Sequence, residues 1–412
     1  MTYRLIILLV VTGLAVTTAS EALGQFTITR IADTSTQMPG QAFNFDGFGG
    51  VSINGNDVSF AGRSNTGYQG IFVSQSGTLN TVIDTNTTIP GTSDTFTQFL
   101  ELWAENGNYA ITGLDQNSVN GVYRWDGSGG GLSTVANAGT DYPGGFGNFG
   151  FFDSATISET GMIGFEGGSN FSNTGVYTHS GSTLTEVANE STAIPGGTGN
   201  FTGFSSVRTD GNSVTLIGEG SSGQVGIYSD AGGSLAAVVD TSDTVPGSAE
   251  NFSFFQQASV DAGQTLLFGA GTTIGGIYLE ENGMLTTVVD NFTTIPGTAE
   301  TFASFAFPEI EDGNLAFFGG GTTTPISLFF QEAGGSLQRV ISEGDSLDGR
   351  TVQLLLWAPD AIDGTNLVFH TLFTDGSRGV YFVDTTSFVP EPASTVFLLG
   401  GSALFFFRRR VR

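Results

Sequence analysis

A ten-residue cassette, Val288-Val289-Asp290-Asn291-Phe292-Thr293-Thr294-Ile295-Pro296-Gly297, is recopied along the chain and constrains what it can become. Its proline recurs as Pro39, Pro90, Pro143, Pro195, Pro246 and Pro296, each followed by glycine, at spacings of 51, 53, 52, 51 and 50 residues. A seventh, degraded copy carries Asp348-Gly349 in place of Pro-Gly. Phenylalanine lies six and nine residues after every one of the six prolines, from Phe45/Phe48 to Phe302/Phe305, and Leu354 and Trp357 take those places in the seventh copy. Self-similarity at a period near 50 residues means stacked units that bury their apolar faces on one another.

Inside one unit the pattern reads as strands. After Pro246-Gly247 come the Phe pair and Ala258-Ser259-Val260, then Thr265–Phe268, Gly276–Leu279 and Leu285–Asp290, separated by turns at Asp261-Ala262-Gly263 and Glu281-Asn282-Gly283. These are short β-branched and aromatic runs bounded by turn residues, and no long window has the 3.6-residue apolar period of a helix. Four strands per unit predict the blade of a β-propeller. The ends of the chain agree. Phe26–Asp33 matches only the last strand of a unit, whereas the final unit stops at its third strand, Gly379–Val383. The N-terminal strand therefore completes the last blade, closing a ring and removing exposed edges. The expectation is an all-β, seven-bladed propeller of about 51-residue four-stranded repeats over residues 25–388, with the Phe pairs packed between blades.

Residues 1–24 read as a secretory signal peptide: Arg4, an apolar run over Leu5–Val16, and a small-residue boundary at Thr18-Ala19-Ser20 or Ala22-Leu23-Gly24. The apolar run is shorter than the roughly 20 residues that a spanning helix needs. The chain has no lysine and no cysteine. Disulfides, thiolate metal sites and cysteine nucleophiles are excluded, so an exported body must rest on its core and on ring closure. Between the terminal segments, 7 arginines face 37 carboxylates. A surface so acidic repels nucleic acid and anionic lipid and favours divalent cations, cationic polymers or plain solubility.

Residues 389–412 hold the most specific motif. Val389-Pro390-Glu391-Pro392 precedes an apolar run over Val396–Phe407 and then Arg408-Arg409-Arg410-Val411-Arg412. Physically this is a stiff hinge, a short apolar anchor helix and a basic stop that can snorkel to headgroups. The order Pro-Glu-Pro, apolar helix, arginine cluster resembles the PEP-CTERM sorting signal of bacteria. The resemblance implies processing by an exosortase near Pro390-Glu391-Pro392, delivery to the cell envelope, surface or matrix, and an association with exopolysaccharide or biofilm. It implies nothing about the chemistry of the body.

Motifs for chemistry are sparse. The two histidines, His179 and His370, lie at unrelated positions of different units, and His179, beside Ser180-Gly181, reads as a loop residue. No zinc spacing or nucleophile elbow accompanies them, so no catalytic residue is assigned. The Gly-rich stretches lack the lysine and the following helix of a phosphate loop and read as turns. The cassette aspartates Asp33, Asp84, Asp240 and Asp290 are replaced by Asn137, Asn189 and Ser342 in other copies. Those residue types share a side-chain oxygen that can close an Asx turn, and calcium is the alternative for the aspartates. Just after the Phe pairs, the innermost strands carry Glu101, Arg208, Gln257, Glu309 and Asp360. They form either a mostly acidic ligand site in the central channel or wet blade edges.

Together these features predict an exported, exosortase-sorted surface or matrix propeller that binds or organises extracellular polysaccharide without catalysis, and without a cofactor unless calcium binds. One alternative is a polysaccharide hydrolase or lyase using channel carboxylates such as Glu101 and Glu309. Another is a calcium-stabilised structural matrix protein.

Overall fold

A computed structural model describes residues 25–389 apart from 118, 144–146, 171–172 and 357–359. The signal-peptide segment 1–24 and the apolar anchor with its Pro390-Glu391-Pro392 hinge and Arg408, Arg409 and Arg410 lie outside the described residues. Within the described residues no helix is long and apolar enough to cross a membrane.

Seven antiparallel sheets form the body. Their first strands are Gly47–Asn54, Gln98–Glu105, Phe151–Ile157, Phe201–Asp210, Phe254–Asp261, Ser304–Glu311 and Arg350–Leu356. In blades 1 to 6 four strands follow one another in order, each pairing with the next. First strands of neighbouring blades from 1 to 6 pack side by side, so they are the innermost strands around an axis. Blade 7 is closed by Gln25–Asp33, which pairs antiparallel with Arg378–Val389, setting Arg30 opposite Tyr381 and Asp33 opposite Gly379. This is a seven-bladed β-propeller closed by its N-terminal strand.

The cassette builds the step between blades. In the five Pro-Gly copies whose turn residues are all described, the N–H three residues after the residue preceding proline bonds back to that residue's carbonyl, as in Thr92 N–H to Ile89 O at 3.1 Å and Ser248 N–H to Val245 O at 3.0 Å. The glycine has φ near +75°, as in Gly247 at 76°. Proline at the second place and a positive-φ glycine at the third make a type II turn. Just before it, the cassette Asp or Asn accepts the N–H two residues on: Ser35 at 2.9 Å from Asp33, Asn86 at 2.9 Å from Asp84, Ser242 at 2.6 Å from Asp240 and Phe292 at 3.0 Å from Asp290. Asn137 and Asn189 do the same for Gly139 and Ser191. In the Ser342 copy the cap comes from ahead, with Ser342 N–H bonded to Asp345 at 2.8 Å.

The Phe pair fixes each blade on its neighbour. The two rings of a pair lie 4.9 to 5.4 Å apart in all six copies. The first ring also meets an aromatic of its own third strand edge-on, as Phe201 meets Tyr228 at 5.0 Å and 86°. Around each pair gather apolar residues of the preceding blade, for example Ile71 and Ile83 of blade 1 against Phe96 and Phe99. A buried phenylalanine contributes about 2–3 kcal/mol, so this is the main repeated stabilising term. The ring needs room, and a second-strand glycine supplies it: a Cβ on Gly218 would lie 2.4 Å from the Phe201 ring.

The seventh copy departs from its expected register. Asp348 and Gly349 have φ of 52° and 73°, and Leu347 pairs with Arg350. This is a two-residue type I′ hairpin, for which Asp-Gly is well suited, in place of the type II turn. An irregularity between Val352 and Leu354 follows. Val352 and Leu355 enter the core, whereas Leu354, expected to replace a phenylalanine, is 41% exposed; Trp357 lies outside the described residues. His179 is likewise not a loop residue but part of the strand Asn173–Ser180, where burial, then the charge of Arg124, lowers its pKa.

Candidate functional site

The repeat decides which side chains reach the axis. Counting from each cassette proline, position 11 gives Gly50, Glu101, Ser154, Ser206, Gln257 and Phe307, all on innermost strands. Here most of those strands bulge, and Ser154, Ser206, Phe307 and, in blade 7, Asp360 adopt positive φ of 52° to 74°. A bulge re-aims the residues around it. It also leaves N–H groups unpaired in the ladder, and neighbouring side chains take them. Glu101 accepts Ser154 N–H at 3.2 Å and Ala155 N–H at 3.1 Å from the next blade, with the Thr112 hydroxyl at 3.0 Å. Gln257 accepts Phe307 N–H at 2.6 Å, and Ser206 accepts Ala258 N–H at 3.4 Å.

Two residues further on, position 13 gives Ser52, Trp103, Thr156, Arg208, Ser259 and Glu309. The Arg208 guanidinium stands 5.0 Å over the Trp103 ring, from blade 4 to blade 2. Its Nη1 donates to the carbonyl of Val207 at 2.9 Å, and its Nε is buried with no hydrogen-bond partner. No carboxylate lies within ion-pair distance of it among the described residues. Ser259, whose hydroxyl accepts Ile310 N–H at 3.1 Å, and the backbone of Asp360 lie beside Glu309 and favour its charge. Asp360 accepts Ala104 N–H at 3.0 Å and the Ser52 hydroxyl. Burial pushes Glu309 up to about 7 against the pull of Arg208, and it raises Asp360 well above the ordinary carboxylate value. Burial lowers Arg208, whose charge is favoured by Glu309, Glu101 and Asp360. At neutral pH the axis therefore mixes one cation with carboxyl groups that hold or share protons.

All five axial residues expected from the sequence line space at the axis, but not one space. Arg208, Glu309 and Asp360, with Trp103, line a cavity of about 320 Å³. Glu101 and Gln257 line a second cavity of about 260 Å³, which shares Trp103 and Arg208 with the first. Glu101 and Glu309 thus face different cavities. Beside Glu101 lie Asp153 and Glu166; burial, then Asp153, raises Glu101 to about 7, and burial raises Glu166 to about 8.

The spacing also held a row that the expected site did not include. Position 15 gives Asn54, Glu105, Ser158, Asp210, Asp261, Glu311 and, in the seventh copy, Asp363. Of these, Glu105, Asp210, Asp261 and Glu311, together with Glu159, rim the larger axial cavity. Most lace one hairpin to another: Glu159 accepts Gly211 N–H at 3.0 Å, Asp261 accepts Asp312 N–H at 2.8 Å, and Asp363 accepts Gly55 N–H. The Glu311 side chain has no hydrogen bond among the described residues, and burial, then Asp261 and Asp363, pushes it up to about 9. Among the described residues no group of three or more His, Cys, Asp or Glu is placed to hold a metal ion. One carboxylate oxygen, Oδ1, of each of Asp33, Asp84, Asp240 and Asp290 serves its own turn.

Residues 106–354 match a family described as a family of unknown function, DUF7453. No curated protein matches the chain. Among solved structures, an acylaminoacyl peptidase of Pyrococcus horikoshii is 11% identical, with a TM-score of 0.51 over 82% of this chain and 51% of that one. A puromycin hydrolase is 12% identical, with a TM-score of 0.51 over 87% and 55%. The propeller domain of the Trilobed protease of Pyrococcus furiosus is 11% identical, with a TM-score of 0.49 over 73% and 85%. The chain spans about half the length of the first two. Likeness at such identity is a likeness of fold alone.

Proposed function

We propose that this chain, which belongs to the DUF7453 family, is an exported, surface-sorted propeller that binds extracellular polysaccharide without chemically changing it. The observation that carries the binding reading is the axial cavity of about 320 Å³ where Trp103, Arg208, Glu309 and Asp360 converge from four blades. An indole, a guanidinium and proton-bearing carboxyls together offer a stacking face with hydrogen-bond donors and acceptors, which suits a hydroxyl-rich group. What favours recognition over turnover is the use already made of the acids. Glu101 accepts three hydrogen bonds and Asp360 accepts two, mostly from other blades. Groups so engaged frame a site. Export and sorting rest on residues 1–24 and on the Pro390-Glu391-Pro392 to Arg410 pattern.

The test is retention of the producing organism's exopolysaccharide by the full chain, with calcium and with chelator. Saturable retention, lost in Arg208→Met, supports the reading, and no retention in either condition sinks it. Sensitivity to chelator would make Asp33, Asp84, Asp240 and Asp290 calcium ligands as well as turn formers. Replacement of Arg408, Arg409 and Arg410 by alanine tests sorting: the chain then fails to reach the surface, and normal delivery overturns that part.

A second reading has one observation in its favour. Glu101, raised to about 7 beside Asp153, is a carboxyl able to give and take a proton at neutral pH. It would make the chain a polysaccharide hydrolase or lyase. Release of reducing ends that survives Glu101→Gln combined with Glu309→Gln removes it.

A further inference from the structure

A third cavity lies away from the axis, in the cleft between blades 1 and 2, with a volume of about 410 Å³. Its wall breaks the repeat at two places. Tyr109, on the second strand of blade 2, stands where other blades have Val58, Ile163, Val214, Thr265 and Leu315. Trp125, four residues after the third-strand Gly121, stands where they have Ser74, His179, Asp230 and Glu280. Tyr109 sits in the core and Trp125 packs against it, yet no other Pro-Gly unit puts a phenol and an indole at those two places. Both face the same cavity.

The remaining wall is uncharged apart from one carboxylate. Asn54, Gln75, Asn80 and Asn106 bring side-chain amides, Asp57 brings the carboxylate, and no basic residue is present. The Gln75 amide donates to Asp57 Oδ2 at 2.8 Å, which leaves Asp57 Oδ1 and the Gln75 carbonyl as acceptors. The Tyr109 hydroxyl is held by Ser59 at 3.0 Å on the buried side. Trp125 is half-buried, and its indole N–H has no hydrogen-bond partner among the described residues. The rim is kept bare by Gly127, where a Cβ would lie 2.1 Å from the carbonyl of Gly107.

We propose that this cleft is a binding site for a neutral saccharide unit, stacked on Trp125 and hydrogen-bonded by Asp57, Gln75 and Asn80. Aromatic faces take the apolar face of a sugar ring, while amides and a carboxylate take paired hydroxyls. A wall without a cation does not recognise phosphate, sulfate or uronate, and Asp57 repels them. The site goes beyond the axial reading: the two cavities share no lining residue, and this one needs no Arg208.

The experiment titrates the purified full-length chain with four-unit neutral gluco-, manno- and galacto-oligosaccharides, and with a cationic chitosan tetramer, by tryptophan fluorescence and calorimetry. At least one neutral oligosaccharide is expected to bind saturably. Trp125→Ala should weaken it about tenfold or more, a change of about 1.4 kcal/mol, while Trp125→Phe and Asp57→Asn weaken it less at an unchanged Tm. Those two variants keep the test valid if Trp125→Ala misfolds. Saturable binding by none of the neutral sugars overturns the proposal, as does binding by chitosan alone. If Arg208→Met abolishes neutral-sugar binding and the Trp125 and Asp57 variants do not, the sugar sits at the axis, and this site falls while the axial reading stands.

Discussion

Arg350 Nη1 lies 3.3 Å from Asp33 Oδ2, joining the innermost strand of blade 7 to the last residue of the N-terminal strand at that blade's opposite edge. The Asp33 side chain is 3% exposed and also takes Arg30 at 3.0 Å, while Asp348 lies 3.5 Å from Arg30 and 3.8 Å from Arg350. The Arg350 guanidinium stacks 4.1 Å over Phe373 and donates to the Tyr381 hydroxyl at 2.7 Å. Among the described residues, every ion pair sits at this closure. A ring closed by hydrogen bonds and packing alone can open at its one non-consecutive strand pair, and the charges are placed there.

Removing one partner of this pair leaves the other with exposed or longer contacts, Arg30 for Asp33 and Asp348 for Arg350. Asp33→Asn or Arg350→Met is expected to lower stability by about 1.5–3 kcal/mol, read by urea unfolding. Arg30→Ala, on a half-exposed side chain, is expected to cost under about 1 kcal/mol. Equal losses in all three would show that the closure does not depend on the buried pair.

The axial acids set an unusual pH dependence. Glu105, Glu309 and Glu311 sit at about 7, 7 and 9 against an ordinary value of 4.5, mainly because burial disfavours their charge. Above pH 4.5 the unfolded chain releases protons that the folded chain keeps, so stability falls as pH rises from there through 7 to 9. Asp33 works the other way: burial opposes its charge, but Ser35, Arg30 and Arg350 leave its pKa lowered, and its contribution is lost only as pH falls below 3.8. Tm is therefore expected to decrease by several degrees from pH 5 to pH 9. Glu311→Gln should leave the pH 5 value in place and recover part of the loss at pH 9. A Tm that rises over that interval would refute this ordering.

The aromatic ladder predicts a graded response to one methyl group. At Gly218 a Cβ would stand 2.4 Å from the Phe201 ring, whereas at Gly167 it would stand 3.1 Å from that of Phe149. Gly218→Ala forces the ring to move and is expected to cost about 1–3 kcal/mol; Gly167→Ala is expected to cost less. Denaturant midpoints for the two variants would show the order.

These contrasts mark what the sequence made legible. Phe201 and Gly218 recur in every Pro-Gly unit, with Tyr or Phe in the place of Tyr228, so spacing alone placed the blades, their number and the closing strand. The Asx turns at Asp84 and Asp290 were legible for the same reason, being local. The axis was legible only by row. Glu101, Arg208, Gln257, Glu309 and Asp360 stood out as polar residues on apolar strands, but their division between two cavities depends on which side of a bulge each one falls. Glu105, Asp210, Asp261, Glu311 and Asp363 share one register and could have been found by it, yet next to turns they look like ordinary hairpin ends. The 5.0 Å contact of Arg208 with Trp103 joins blades 2 and 4 across the ring, and no local pattern encodes it. Leu354 was misplaced because the register was carried past Asp348-Gly349, where the turn type changes.

That change of turn yields a prediction against the consensus. Pro-Gly occupies the six other copies, so Asp348→Pro looks like a repair of the degraded one. Asp348, however, has φ of 52°, and proline is locked near −65°. The type I′ hairpin between Leu347 and Arg350 would be lost, with the Asp348 contacts to Arg30, Arg350 and Tyr381. The expected cost is about 1–3 kcal/mol for the backbone alone, with a larger drop in Tm than from Asp348→Asn, which keeps a favoured I′ residue and removes only the charge. Should Asp348→Pro prove neutral or stabilising while Asp348→Asn is harmful, the charge rather than the turn would be what the seventh copy selects.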